Sequence, residues 1–157
     1  MKKLESYITN MILVLVGVAL VTGAILAYVN NVTAGPIKEQ AEKTLTDGIK
    51  KVMGGKNDVK VSASKPITQN IKGKELTYVV HLTQDSKGND LGAAVESTTN
   101  GFGGDLKVLV GFNTEGEILG YTILQTAETP GLGAKAQDWF QKDGKGNIIG
   151  MNPSVRL

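Results

Sequence analysis

The sequence predicts an α+β protein, with a single N-terminal transmembrane helix followed by an antiparallel sheet packed with helices. Three observations carry the prediction: a charge-free apolar run near the N-terminus, apolar residues at three- and four-residue spacing just after it, and a series of short β-branched segments separated by turn-forming residues.

Between Glu5 and Lys38 no side chain is charged, and Met11 to Val29 is nearly unbroken Ile, Leu, Val, Ala and Gly. As a helix those residues span roughly 28 Å at about 1.5 Å each, close to the ~30 Å hydrocarbon thickness of a bilayer. Tyr7 and Tyr28 stand near the two ends, where a ring with a polar tip suits the headgroup zone. Lys2 and Lys3 precede the span, while Lys38 and Lys43 after it are mixed with Glu39 and Glu42, a bias that favours a cytoplasmic N-terminus and places the rest outside the cytoplasm. A cleaved leader ending at Val32-Thr33-Ala34 is the rival reading, but an h-region of about 7 to 15 residues is usual and this run is longer, which favours a retained anchor. Ala19, Gly23 and Ala27 form a small-residue ridge suited to a neighbouring helix, or simply reflect the usual content of membrane spans.

Pro36 fits a first helical position, and Ile37, Ala41, Leu45, Ile49 and Val52 then recur on one face up to Gly54. The chain therefore divides into a tip and anchor (residues 1–34), an amphipathic stalk helix (35–54) and an α+β domain (55–157) that reads as incomplete at its C-terminus. Gly54 to Gly73 is polar and broken by Lys65-Pro66, a connecting loop with at most a short strand at Val59 and Val61. Four strands are expected next, at Leu76–Thr83, Ala93–Thr98, Gly104–Phe112 and Glu117–Thr126, with Asp85-Ser86-Lys87-Gly88-Asn89 and Asn113-Thr114-Glu115-Gly116 as turns. Ala134 to Gln141 reads as a helix carrying Trp139 and Phe140.

Composition narrows the functions. Cysteine is absent, so thiolate iron–sulfur ligation and cysteine nucleophiles are excluded within this chain. From Pro36 onward fifteen Lys and Arg face fourteen Asp and Glu, and no basic patch argues for nucleic acid. His81, the sole histidine, alternates with apolar neighbours in an expected strand, so it reads as a surface or half-buried strand residue, and a metal site would need partners that the sequence does not supply.

Two glycine clusters remain, Gly101-Phe102-Gly103-Gly104 and Gly131-Leu132-Gly133. Pro130 and Gly131 suit the second and third positions of a type II turn, and Gly133 lets the backbone enter the next helix. Exposed N–H groups at such a turn form a concave donor site for an anion or a carbonyl-rich ring, although Glu128 beside it repels a phosphate. Spacing alone favours the plainer reading, that these glycines only punctuate strands.

The succession Gly101-Phe102-Gly103-Gly104-Asp105-Leu106-Lys107-Val108-Leu109-Val110-Gly111-Phe112, then Gly120-Tyr121-Thr122-Ile123-Leu124, then Glu128-Thr129-Pro130-Gly131-Leu132-Gly133, resembles the FMN-binding domain of the Rnf electron-transport complex G subunit. Its sister is the C subunit of the sodium-translocating NADH:quinone reductase. The resemblance extends over nearly the whole chain, including the anchor and the Gly35-Pro36-Ile37 segment. It implies a single-pass flavin subunit of an ion-translocating (Na⁺ or H⁺) complex in a bacterial inner membrane, its C-terminal domain on the extracytoplasmic side. Other membrane subunits would be its partners, and FMN its cofactor. The cofactor carries the redox chemistry in such a protein, so no catalytic acid or base is expected. The implied cofactor-binding residues are Glu128, Thr129, Gly131, Leu132 and Gly133, with Gly103 and Gly104; the backbone of 131–133 meets ring or ribityl chain, Thr129 offers a hydroxyl, and Glu128 lies at the ring edge or caps backbone donors.

In that family FMN is joined through its phosphate to a threonine in a Gly-Ala-Thr motif downstream of Glu-Thr-Pro-Gly. No Gly-Ala-Thr occurs in this sequence. Either the chain is a shortened version of a longer one, which an ending like an interrupted strand at Asn152–Leu157 favours, or it has lost covalent attachment. The second explanation leaves a different class of function open, a membrane-tethered assembly subunit in which the flavin fold is structural. Trp139 is expected in the core, with stacking on a flavin as its alternative role.

Overall fold

The computed structural model describes residues 8–56, 58–71, 73–129 and 133–154. It is an α+β arrangement, as the sequence predicts: a long apolar helix, a five-stranded antiparallel sheet and a short helix. By proximity the chain separates into two compact units, Met1–Glu42 and Lys43–Leu157.

Helix α1 runs without a break over Ile8–Val52 and carries Pro36 inside it. The expected new helix start at Pro36 is therefore corrected: proline removes one backbone bond, a penalty of about 3 kcal/mol, but helix-forming sequence on both sides carries the helix through. Thr33 just upstream donates its hydroxyl to the Val29 carbonyl at 2.8 Å. In the first unit the helix is long and apolar enough to cross a membrane, and its side chains are bare: Leu15 is 72% and Leu20 69% exposed. Tyr28 lies on the exposed helix, whereas Tyr7 lies outside the described residues.

Within the second unit the last turns of α1 end at Gly54 and Gly55, both at positive φ (85° and 71°), with the Gly55 amide donating to the Lys50 carbonyl. This is glycine's stop signal, since a left-handed conformation meets no Cβ there. Of the expected stalk face only the end is covered: Ile49 and Val52 are buried and Leu45 partly so, while Ile37 is exposed.

The strands follow in sequence order across the sheet: β1 (Lys60–Ile71), β2 (Lys74–Gln84), β3 (Asp90–Asn100), β4 (Asp105–Phe112) and β5 (Ile118–Gln125). β1 replaces most of the expected loop. Its residues are exposed on both faces except half-buried Ala63, so no alternating pattern marked it. Pro66 is tolerated because β1 is an edge strand with one neighbour.

Directly paired residues share a face, so two rows cross the sheet. One runs Ser64, His81, Ala94, Gly111, Gly120, and the other Lys65, Val80, Val95, Val110, Tyr121. The end of α1 packs on the first row. A Cβ on Gly120 would stand 2.6 Å from the Val52 carbonyl oxygen, and one on Gly111 would collide with the same oxygen. Gly48, a weak helix former by propensity, gives the same close approach from the helix side, since a Cβ there would come within 2.8 Å of Leu124. Ile49, Val52, Met53, Val59, Ala94 and Leu109 form the resulting core.

The expected helix at Ala134–Gln141 is shorter, a 3₁₀ turn at Gly133–Lys135 leading into α2, Ala136–Trp139. It sits by β5. Gln137 accepts from the Ile123 amide at 2.7 Å, Gln141 donates to the Tyr121 carbonyl at 2.8 Å, and the Gly150 and Met151 backbone brackets Ile118. The free border of β5 is thus bonded by two side-chain amides and a returning segment of irregular backbone.

Candidate functional site

The β3–β4 connection is the Gly101–Gly104 turn, closed by the Gly101 amide donating to the Gly104 carbonyl at 2.7 Å. β5 lies beside β4, so the segment leaving β5 passes this turn. Glu128 in that segment accepts at Oε1 from the Phe102 amide at 2.6 Å and the Gly103 amide at 3.3 Å. Its own amide donates to Thr126 Oγ1 at 3.1 Å.

Close approach explains the glycines. A Cβ on Gly101 would collide with Glu128 Oε1, and one on Gly103 with the Ala127 carbonyl. A Cβ on Gly133 would stand 2.6 Å from Glu128 Cβ and 2.9 Å from Oε2. Glu128 thus lies against glycines of both clusters, and the structure joins Glu128, Gly103, Gly104 and Gly133 of the expected cofactor-binding set. Thr129 is exposed. Pro130, Gly131 and Leu132, and with them the expected type II turn, lie outside the described residues.

An open groove of about 320 Å³ is lined by Gly133, Lys135, Ala136, Trp139 and Phe140. Trp139 is 48% exposed, which corrects its expected place in the core. Phe140 turns instead toward the sheet and meets the Tyr121 ring edge to face, with centroids 5.8 Å apart. Adjacent aromatic residues on one helical turn point in different directions, so only one of the pair packs on the sheet. Lys145 Nζ lies 5.9 Å from the centre of the Trp139 ring, within range of a cation–π contact. Burial pushes the Tyr121 phenol above its ordinary value of 10.0.

His81 is a strand residue, as expected, but its expected surface or half-buried place is corrected: it is buried at 5% exposure, on the sheet face that the end of α1 covers. Its Nδ1 lies 2.8 Å from Ser64 Oγ, and its Nε2 faces Glu96 at 3.7 Å without a hydrogen bond. Glu96 pairs in turn with Lys107 at 3.1 Å. Among the described residues no group of three His, Asp or Glu side chains is placed to hold a metal ion.

Sequence reasoning missed Lys135 and Phe140 as groove walls; of the two places it gave Glu128, the structure shows the capping of backbone donors and identifies them as the Phe102 and Gly103 amides. A pairing of Glu128 with a turn 26 residues upstream leaves no local signal.

The geometry defines a class: an α+β domain in which two glycine-containing loops meet over one carboxylate beside an aromatic groove. Residues 101–154 match the family described as the FMN-binding domain, a stretch that takes in β4, β5, α2 and the segment after it. The match starts at Gly101 and leaves α1 and β1–β3 outside it. No curated protein matches the chain.

Proposed function

We propose that this protein is a membrane-anchored, FMN-carrying electron-transfer subunit of an ion-translocating oxidoreductase complex of the Rnf type. The observation that carries the reading is the FMN-binding match over residues 101–154, which covers both the Glu128-tied loop pair and the aromatic groove. The residues present fit a flavin: Trp139 lines the groove with a half-exposed indole, Gly133 with backbone, and Lys135 with a cation for an anionic group. When bound, FMN supplies one- and two-electron transfer, and the protein supplies position, shielding and charge.

The bare apolar surface of α1 supports the anchor, because exposed side chains such as Leu15 and Leu20 need lipid or another apolar partner. An inner-membrane location with the sheet domain outside the cytoplasm, and partners among other membrane subunits, complete the proposal.

The test uses the full gene product in native membranes and in detergent. Flavin fluorescence of the denatured gel band, or saturable quenching of the single tryptophan by added FMN, supports the flavin reading. A dark band together with no response to FMN overturns it and leaves the tethered assembly subunit as the function.

A further inference from the structure

Three neighbouring strands bring Ser64, His81 and Glu96 together on the sheet face that the end of α1 covers further along. Ser64 on β1 and His81 on β2 are directly paired, and Ser64 Oγ lies 2.8 Å from Nδ1 of the imidazole. On the other side of the ring Nε2 faces Glu96 Oε2 at 3.7 Å, and Oε1 of the same carboxylate meets Lys107 Nζ at 3.1 Å. The ring is enclosed, and its Nε2 makes no hydrogen bond. These surroundings assign the hydrogen. Were it on Nδ1, the lone pair of Nε2 would point at a carboxylate, two electron-rich atoms facing each other in a site largely closed to water. With the hydrogen on Nε2, that N–H turns its positive end to Glu96, and Nδ1 accepts from the Ser64 hydroxyl.

We propose that Ser64 is an activated hydroxyl, a modification site for activated esters, with His81 as its base and Glu96 behind the ring. A serine is a weak nucleophile until an adjacent base takes its proton, and the arrangement that achieves this is a base in hydrogen-bond reach with a third group orienting it. Ser64 is exposed on an edge strand, so an ester can reach its oxygen, whereas the imidazole that serves it is buried. In the step, Oγ attacks the ester carbon while its proton passes to Nδ1. The bond from that carbon to the leaving alcohol's oxygen breaks, and Nδ1 returns the proton to that oxygen. The products are an acylated Ser64 and a free alcohol, with no change of oxidation state. Glu96 is a positioning residue: it favours the imidazolium that forms, an effect tempered by Lys107 on its other oxygen. Ser64, His81 and Glu96 lie outside the matched segment 101–154, which separates the inference from the flavin reading.

Ser62 provides an internal comparison. It too is exposed on β1, but its hydroxyl donates to the Leu82 carbonyl at 3.3 Å, an acceptor that takes no proton. The full chain in detergent is treated with an ethyl fluorophosphonate, a phosphonyl mimic of an activated ester from which fluoride leaves, and the labelled serines are mapped by mass spectrometry. Ser64 should react at least roughly tenfold faster than Ser62, below the ~10²-fold or more that a positioned base contributes in an evolved active site. The preference should vanish in denaturing urea and fall toward acid pH, since a protonated Nδ1 has no lone pair to offer. His81→Gln should abolish it. Glu96→Gln should reduce it and displace its acid limb, while labelling of Ser62 stays the same.

Equal labelling of Ser64 and Ser62 in the folded wild type overturns the proposal, and this comparison decides the matter if His81→Gln does not fold. A Ser64 preference that survives in folded His81→Gln overturns it as well, because exposure alone would then account for the difference. Unchanged labelling and an unchanged acid limb in Glu96→Gln would strike Glu96 from the set.

Discussion

Gly111 and Gly120 stand directly opposite each other on β4 and β5, and the Val52 carbonyl rests on the pair. The contact joins the end of α1 to the two strands that lead into the candidate site. A helix comes this close to a sheet only where side chains are missing from both, and Gly48 supplies the gap on the helix.

Gly120→Ala should therefore lower the stability of the sheet domain by about 2 kcal/mol, the usual scale of overpacking in a core. The urea midpoint of the full chain in detergent, read by tryptophan emission, measures it. Gly17→Ala, where nothing lies within 4 Å, is the control and should leave the midpoint unchanged.

Gln137 and Gln141 hold the free border of β5, one at the Ile123 amide and the other at the Tyr121 carbonyl. Gln137→Ala should weaken the domain by about 1 kcal/mol and speed hydrogen exchange at Ile123. Exchange at Ala94, in the middle of the sheet, should change only by the global loss of stability.

Stability should fall at both ends of the pH range. Hydrogen bonds from Asn89 and from the Lys87 and Gly88 backbone hold the Asp85 carboxyl below its ordinary 3.8, so its contribution is complete above that value and is lost as pH falls through the folded one. Asp85→Asn should make the acid limb shallower. Burial raises the Tyr121 phenol, so its contribution is complete below 10.0 and is lost as pH rises through the folded value. Tyr121→Phe should flatten the alkaline limb. Denaturation midpoints between acid and alkaline pH read both effects.

Val18→Arg tests the anchor. A charge at the centre of a span opposes insertion by about 2.5 to 3.5 kcal/mol, so the variant should shift toward the carbonate-extractable fraction while the wild type stays with the membrane. Extraction of both alike would remove the anchor from the proposed function.

Much of this architecture could be read from the residues, for reasons that differ by element. The long apolar helix and β2–β5 announce themselves through charge-free length and through β-branched runs between turns, signals that are local in the chain. β1 does not, because an edge strand exposed on both faces has no core side to impose alternation, and Pro66 argues against it. Pro36 misled in the opposite sense, since its preference for a helix start is outweighed by the helix-forming residues upstream. In the site, the two glycine clusters and Glu128 can be picked out in the chain, but that Glu128 caps the Phe102 and Gly103 amides shows only once β4 and β5 lie side by side. Trp139 was misplaced because composition alone does not say which of two adjacent aromatics faces the sheet.

The bonds along β5 carry a temporal consequence. The strand is finished at Gln125, but the groups that seal it come from Gln137, Gln141, Gly150 and Met151. On the ribosome the last strand exists as a nascent segment before its cover has been made. Until residue 151 has been made, the outer border of that segment lacks every one of the partners that bond it in the folded domain.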